Sequence, residues 1–180
     1  MRSQTETLHG VFIEVLDLGV LLEGPSGIGK SGLALELVSR GHKLIADDAP
    51  EFHRCSSTTV SGTCPAPLQD FIAVFGLGVL NIPAMFGADA VKKTSQLQLL
   101  ISLVPANHFK LTEDGRLKGS LYQRSVLGVE ISAIKLPVTA EHNMAIMVEN
   151  AIRNHKLRVA GYNAAEEFIN NQRFFLGGDR

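Results

Sequence analysis

The sequence has no tryptophan, only two cysteines and almost no excess of charge of either sign. The two cysteines, Cys55 and Cys64, are separated by eight residues, a spacing that fits neither the paired ligands of a zinc site nor a disulfide framework. In a reducing compartment, two such cysteines are most simply free thiols and not a disulfide. We therefore expect two free thiols without a function of their own.

Charged residues are nearly balanced, because seventeen Lys and Arg stand against eighteen Asp and Glu and give a formal net charge of −1. The sequence therefore offers no global positive field that would gather nucleic acid or an anionic membrane surface, and any anion site must be local. The polar first ten residues, MRSQTETLHG, lack the apolar stretch of a secretory leader, so we expect a cytoplasmic protein.

A long uninterrupted apolar run is also missing. The longest stretch without charge covers residues 71–88, but Gly76, Gly78, Pro83 and Gly87 interrupt it. A membrane-spanning helix must satisfy every backbone group internally, and this composition works against such a helix. We therefore predict no membrane span and expect buried strand and turn at residues 71–88.

The 180 residues are 45% apolar and 19% charged, which is typical of an ordinary globular protein. A chain of this length supports one substantial hydrophobic core but hardly two, so we predict a single domain over residues 1–180.

Apolar periodicity predicts a mixture of strands and helices. Residues 11–15 and 20–22 form a predicted hairpin with its turn at residues 17–19. Residues 105–124 have few apolar positions and are predicted to be a mobile loop. The other predicted elements are a helix after residue 31 that Gly41 ends, a strand at residues 43–46, hairpin strands within residues 51–68, a strand at residues 96–104, a helix from Met144 to His155 that Gly161 closes, and a last helix opened by Asn163 and Glu166 and running through Phe168.

Residues 24–31, GPSGIGKS, match the phosphate-loop pattern G-x-x-x-x-G-K-[ST] in full, between an apolar strand and an amphipathic helix. Gly29 lets the backbone approach a phosphate, Lys30 supplies a mobile charge for the β- and γ-phosphates, and the Ser31 hydroxyl is positioned to ligate Mg²⁺. The pattern therefore predicts binding of a nucleoside triphosphate with Mg²⁺. The predicted nucleotide-binding residues are Gly24, Pro25, Ser26, Gly27, Ile28, Gly29, Lys30 and Ser31.

Two adjacent carboxylates, Asp47 and Asp48, follow the predicted strand at residues 43–46. Neighbouring side chains at a strand end point in different directions, so one carboxylate can face the metal while the other accepts the proton of an attacking hydroxyl. An isolated Asp-Asp pair is more often a solvated turn, but the phosphate loop upstream favours the catalytic interpretation.

Four segments of the sequence are recognisable together: Leu8-His9-Gly10, the loop GPSGIGKS, ELVSRGHKLIADD and FGLGVLNIPAMFG. They closely resemble the catalytic domain of bacterial HPr kinase/phosphorylase. That family phosphorylates a serine of HPr, the phosphocarrier protein of the sugar phosphotransferase system, and removes the phosphate by phosphorolysis. The resemblance covers nearly the whole chain. It implies an α/β fold in which a mixed sheet carries the phosphate loop, as in phosphoenolpyruvate carboxykinase, with helices at the C-terminus.

The resemblance also implies roles for individual residues. Asp48 becomes the proton acceptor in the kinase direction and the donor in reverse, while Asp47 assists at the metal. His9 matches the family's active-site histidine, and Arg116 matches an arginine on a mobile loop that steadies the transferred phosphate. The catalytic residues so implied are His9, Lys30, Asp48 and Arg116, and the metal ligands are Ser31 and Asp47. The implied cofactors are ATP and Mg²⁺, the implied protein substrate is HPr, and the implied assembly is a hexamer that regulates carbohydrate metabolism.

The chain departs from the family pattern in two places. It has Ala73-Val74-Phe75-Gly76 where the family usually has Glu-Val-Arg-Gly, and Glu141-His142-Asn143 where it usually has Gly-Arg-Asn. These changes remove a carboxylate and cations near a phosphate that another phosphate must attack. We therefore expect weak or absent phosphorolysis and reduced kinase activity. The family's N-terminal domain has no counterpart before His9, so we expect a short form or a fragment.

Two other functions remain open. One is a small-molecule kinase, because a phosphate loop serves many acceptors. A substrate pocket rich in arginine would favour this function, but the central region has few arginines, mainly Arg54 and Arg116. A nucleotide-binding regulator without turnover is the third interpretation, and the altered residues Ala73, Phe75 and His142 favour it.

Overall fold

A computed structural model describes residues 5–177, so the first four and last three residues of the predicted domain lie outside the described part, and with them the first four residues of the polar start. The strands are β1 (Thr5–Thr7), β2 (Val11–Val15), β3 (Leu18–Glu23), β4 (Lys43–Ala46), β5 (Glu51–Arg54), β6 (Val60–Thr63), β7 (Phe71–Val74), β8 (Gly78–Asn81), β9 (Thr94–Pro105), β10 (Leu121–Val126) and β11 (Val129–Val138). The α-helices are α1 (Lys30–Ser39), α2 (Ile82–Phe86), α3 (Glu113–Lys118), α4 (Met144–Val159) and α5 (Ala164–Gly177).

Nine of the described strands belong to one mixed sheet organised around β9, the longest strand. The path along the sheet is β1-β5-β6-β9-β3-β2-β4, and β11 also pairs with β9 and carries β10 at its other edge. Strand β9 runs parallel to β3 and β11 but antiparallel to β6. Strands β7 and β8 form a separate hairpin. The mixture of parallel and antiparallel pairs agrees with the predicted mixed sheet.

Both faces of the central strands are buried, which explains why their sequences are nearly continuous apolar runs. On one face, Val11 and Ile13 of β2 pack in a cluster that includes Leu37 of α1 and Val148 of α4. On the other face, Phe12 packs in a second cluster with residues of β5, β6, β10 and β11. The two clusters therefore cover β3 on both faces up to the start of the loop that follows it.

The predicted turn at residues 17–19 lies one residue earlier in the structure. Leu16 and Asp17 occupy the turn with φ of 50° and 65°, both in the left-handed region that two-residue hairpin turns require. Gly19 lies inside β3, where an added Cβ would stand 1.9 Å from the carbonyl oxygen of Gln96 on β9. Its lack of a side chain thus serves the close approach of two strands and not the turn.

Residues 71–88 contain the predicted strands and turns, but the prediction that they are buried is wrong for the turn at residues 75–77 and for one face of the β7–β8 hairpin. Ile72 is buried, whereas Phe75, Leu77 and Val79 are 106%, 63% and 70% exposed. An apolar run by itself does not distinguish a strand covered on two faces from one covered on a single face. Within residues 5–177, none of the helices has the length and the apolar character needed to cross a membrane.

The prediction of a mobile loop at residues 105–124 is also wrong. The structure has a 3₁₀ turn at Ala106–His108, then α3, then the start of β10. The Thr112 hydroxyl caps α3 by accepting a hydrogen bond from the Gly115 amide at 3.0 Å. The end of the segment is ordered because β10 pairs with β11 in a hairpin, and the few apolar residues of the segment do not reveal this pairing. The last helix, α5, also continues beyond Phe168, to Gly177.

Candidate phosphate-binding and phosphoryl-transfer site

The phosphate loop, residues 24–31, joins β3 to α1 and depends on glycine for its backbone conformation. Gly27 and Gly29 have φ of 79° and 101°, and nothing lies within 4 Å of a Cβ built on either residue. Positive φ, and not lack of space, is therefore what favours glycine there. Gly29 stands at the N-terminus of α1 without a side-chain cap, and the first turn of α1 has no acidic residue. Backbone amides at this helix end are thus available to an anion.

Lys30 is the first residue of α1 and lies folded across its own loop. Its Nζ donates hydrogen bonds to the carbonyl oxygens of Gly24 and Pro25 at 2.8 and 3.1 Å. Only 8% of the residue is exposed, so the ammonium is held beside the loop amides. A polyphosphate bound in the loop would meet this charge directly.

Asp47 follows β4 and connects the phosphate loop to the β7–β8 hairpin. Its Oδ1 accepts a hydrogen bond from the Ser31 hydroxyl at 2.9 Å, and its Oδ2 accepts one from the Ala73 amide at 2.9 Å. Burial raises the pKa of Asp47, the hydrogen bonds from Ala73 and Ser31 oppose that rise, and the charge of Asp48 reinforces it. The structure thus brings together the two residues predicted as metal ligands.

The Asp48 side chain points away from that of Asp47 and contacts His9. The distance between His9 Nδ1 and Asp48 Oδ1 is 3.0 Å, and both side chains are largely exposed. Asp48 has φ of 70°, a left-handed conformation that aspartate tolerates better than most residues. The Gly10 amide donates to the Asp48 carbonyl at 3.1 Å, which fixes the His9 segment against this turn. The two aspartates therefore diverge as expected, one toward the loop serine and the other toward solvent.

These side chains line one cleft of about 600 Å³. Its walls are formed by His9, Val11, Ser26, Gly27, Gly29, Lys30, Ser31, Gly32, Asp47, Asp48, Ala73, Val74 and Phe75. The phosphate loop, an ammonium, a buried carboxylate and an exposed carboxylate thus share a space large enough for a small-molecule ligand.

Arg116 is the predicted catalytic residue that the structure does not bring to this cleft. It lies on α3 and lines a different cavity. His142 precedes α4, where its Nδ1 lies 2.8 Å from the Thr139 hydroxyl. Its neighbour Asn143 caps α4 through the Ile146 amide and donates to Glu36 of α1 at 2.7 Å, so it has a structural role at the junction of the two helices.

A polar network around Glu23, the residue before the phosphate loop, was missed in the sequence. The Glu23 carboxylate accepts hydrogen bonds from the Ser102 hydroxyl at 2.5 Å and the Tyr122 hydroxyl at 3.3 Å, and it forms an ion pair with Arg124. These contacts anchor the end of β3 to β9 and β10. The only sequence signal is an acidic residue that closes the apolar strand Val20-Leu21-Leu22.

Comparisons with known proteins agree on one family. The sequence model described as "HPr Serine kinase C-terminal domain" matches residues 2–172. The HPr kinase/phosphorylase of Chromobacterium violaceum is 45% identical over 169 residues, covering 94% of this chain and 53% of the relative. That of Aromatoleum aromaticum is 44% identical over 180 residues, covering 98% and 56%. The chain thus spans about half the length of these curated relatives.

A solved structure extends the likeness to three dimensions. The Hpr(Ser) kinase/phosphatase of Coxiella burnetii superposes with a TM-score of 0.82 at 32% identity, covering 91% of this chain and 98% of that one. This match confirms the predicted α/β fold with a mixed sheet and C-terminal helices.

Proposed function

The chain belongs to the HPr serine kinase C-terminal domain family, and we propose that it transfers the γ-phosphoryl group of ATP to a serine hydroxyl of HPr in the cytoplasm, regulating carbohydrate metabolism. Its fold is the phosphate-loop fold of the phosphoenolpyruvate carboxykinase type. One observation carries the proposal: Lys30, Ser31, Asp47 and Asp48 line a single cleft, with one carboxylate on the loop serine and the other open to solvent.

Nucleotide binding is assigned to the loop amides and Lys30. When a triphosphate binds, the Lys30 ammonium exchanges the carbonyl oxygens of Gly24 and Pro25 for phosphate oxygens, and the first-turn amides of α1 face the same group. Charge spreads over the transferred phosphoryl group in the transition state, so a fixed cation and fixed N–H dipoles stabilise it without reorganisation.

Ser31 and Asp47 supply the oxygen donors that suit Mg²⁺. In the described part of the chain, no group of three or more His, Cys, Asp and Glu side chains forms a metal cage. Sites that use a hydroxyl and one carboxylate, with the remaining ligands from phosphates and water, are typical of Mg²⁺ in phosphoryl transfer. When bound there, the ion would neutralise charge on the β- and γ-phosphates.

Asp48 is assigned as the proton acceptor. Its carboxylate is exposed and can reach a hydroxyl presented by another protein, while Asp47 is already engaged by two donors. Contact with His9 orients one carboxylate oxygen and leaves the other for the incoming serine. Asp48 thus abstracts the serine proton as the oxygen attacks phosphorus.

Phosphorolysis is proposed to be weak in this chain. Ala73 contributes only its amide to the site, and Phe75 carries no charge, where the family pattern has a carboxylate and a cation. The cleft-lining residues include one lysine and no arginine within the described chain, which leaves little charge to offset two approaching phosphates. The same scarcity of cations would weaken phosphoryl transfer itself, so it favours a second candidate function: a regulator that binds a nucleotide without turnover.

The deciding experiment is single-turnover transfer of labelled γ-phosphate from Mg·ATP, with HPr and without it. We expect labelled serine on HPr, and Asp48→Asn should slow transfer by about 10²-fold or more while nucleotide binding persists. Asp17→Asn is a matched control, since Asp17 is also exposed with positive φ and lies outside the cleft. Nucleotide binding without transfer would favour the regulator, and near-normal transfer by Asp48→Asn would refute the assigned base.

Phosphorolysis and assembly are tested separately. Serine-phosphorylated HPr incubated with inorganic phosphate and Mg²⁺ should release little pyrophosphate, and release at a rate comparable to kinase turnover would contradict the proposal.

We further propose that the chain assembles as a hexamer, in keeping with the resemblance. Phe174 and Phe175 of α5 are 83% and 86% exposed in the single chain, which is consistent with burial between subunits. Light scattering should give six times the mass of one chain.

A further inference from the structure

A second cavity, of about 340 Å³, lies between α3, β11 and α4. It shares no lining residue with the phosphate-loop cleft, and its volume lies within the range of about 300–1,000 Å³ that small-molecule sites occupy. Its apolar wall is formed by Leu111, which precedes α3, by Ile134 and Leu136 of β11, and by Met147 and Ala151 of α4.

The charged residues that line this cavity are all of one sign. They are Arg116, Lys118, Lys135 and Arg158, and within residues 5–177 no lining residue is acidic. Two of the four are engaged elsewhere: Lys118 pairs with Asp114 at 2.9 Å, and the Lys135 ammonium lies 5.2 Å from the ring centroid of Tyr122. In a chain whose net charge is −1, this is a local positive environment beside an apolar wall.

Arg158 carries an unmet hydrogen bond at this cavity. Its Nη2 donates to the Lys118 carbonyl at 2.7 Å, which fixes the guanidinium in place. Its Nε is shielded from solvent and has no acceptor in the described part of the chain. An unsatisfied donor on a charged group is costly, and native proteins usually supply a partner for it. Arg116, on the same cavity, likewise has no ion-pair partner among residues 5–177.

We propose that this cavity binds an amphipathic anion, a ligand with an apolar body and one carboxylate or phosphate head. The apolar body packs against Ile134, Leu136 and Met147, and the head pairs with the guanidinium groups of Arg116 and Arg158. A neutral amphiphile would leave these two guanidinium groups without a counter-charge, and an inorganic anion would leave the apolar wall uncovered. The site is independent of the proposed kinase chemistry, because the two cavities have separate linings.

Isothermal titration of the full chain with sodium octanoate and with octyl phosphate tests the proposal. At least one of them should bind with a stoichiometry of one per chain, and 1-octanol and sodium sulfate should each bind at least about tenfold more weakly. Absence of binding by both anionic probes would overturn the proposal, and so would octanol binding as tightly as the better of them.

Variants locate the binding. Arg158→Gln should weaken the better probe about tenfold, whereas Arg153→Gln, on the same helix but outside the cavity, should leave its affinity unchanged. Circular dichroism melting reports whether each variant folds. Because Arg158 also holds the Lys118 carbonyl, Arg116→Gln is the second variant. It removes no side-chain hydrogen bond or ion pair within residues 5–177 and should weaken binding of the probe at least threefold. Unchanged affinity in the folded Arg158→Gln variant, or in Arg116→Gln, would overturn the assignment.

Discussion

Neutralising Glu149 should destabilise the contact between α1 and α4. Glu149 is 5% exposed, and its carboxylate accepts two parallel hydrogen bonds from Arg40, from Nε at 2.7 Å and from Nη2 at 2.9 Å. His42 Nε2 lies 3.1 Å from the same carboxylate. Because Arg40 directly follows α1, this ion pair ties the helix that begins at the phosphate loop to α4.

The size of the effect follows from the pKa of Glu149. The hydrogen bond from Arg40 first, and then that from His42, lower this pKa from 4.5 to about 2 against the opposing effect of burial. Each pKa unit corresponds to about 1.4 kcal/mol, so the ionised carboxylate contributes roughly 3 kcal/mol to the free energy of unfolding at pH 7. The unfolded chain takes up the proton at a higher pH than the folded chain. The contribution is therefore complete above about pH 5 and is lost as the pH falls toward about 2.

Urea unfolding of the unaltered chain and of Glu149→Gln measures this contribution. At pH 7 the variant should lose about 2–3 kcal/mol, and at pH 3 the difference between the two proteins should be smaller by about 2 kcal/mol. Glu130→Gln is a control, because Glu130 is exposed on β11 and has no ion pair within residues 5–177. A loss below about 0.5 kcal/mol at pH 7, or an equal difference at both pH values, would refute the reasoning.

Three further substitutions test the site and the fold. Lys30→Met should reduce phosphoryl transfer by about 10²–10³-fold in the single-turnover assay, since it removes a cation from the developing charge; a smaller loss than tenfold would contradict its role. Glu23→Gln should raise the KM for ATP more than it lowers kcat, because it loosens the strand end before the loop; a change in kcat alone would argue against this anchoring role. Gly19→Ala should lower the free energy of unfolding by at least about 2 kcal/mol, because the added Cβ would lie 1.9 Å from the Gln96 carbonyl oxygen. Gly32→Ala is the control: nothing lies within 4 Å of its added Cβ, so it should be neutral or stabilising. Equal effects of the two substitutions on stability would contradict the contact between β3 and β9.

The fold was predictable where local pattern and tertiary environment agree. The apolar runs of β2, β3 and β9 are covered on both faces, so their composition indicates buried strands directly. The phosphate-loop pattern fixes a strand before it and a helix after it, and both are present. The divergence of Asp47 and Asp48 also follows from geometry at a strand end.

Features that depend on distant partners were not predictable. Gly19 is a typical turn residue by composition, and only the approach of Gln96 assigns it to a strand. Arg116 matches the family pattern in sequence. Its segment, however, lies against β11 and α4, and the sequence around Arg116 does not indicate these neighbours. The side chains that donate to Glu23 come from β9 and β10, and no local signal indicates these partners.

The position of β9 also bears on how the protein is made. Strand β3 leads into the phosphate loop, but its parallel partner, β9, is translated only after the chain has passed through five more strands and two α-helices. During synthesis on the ribosome, the loop therefore emerges long before the strand that supports it. Contacts between segments so distant in sequence form slowly. The nascent nucleotide site should mature late, and the N-terminal third of the chain, released alone, should not hold ATP.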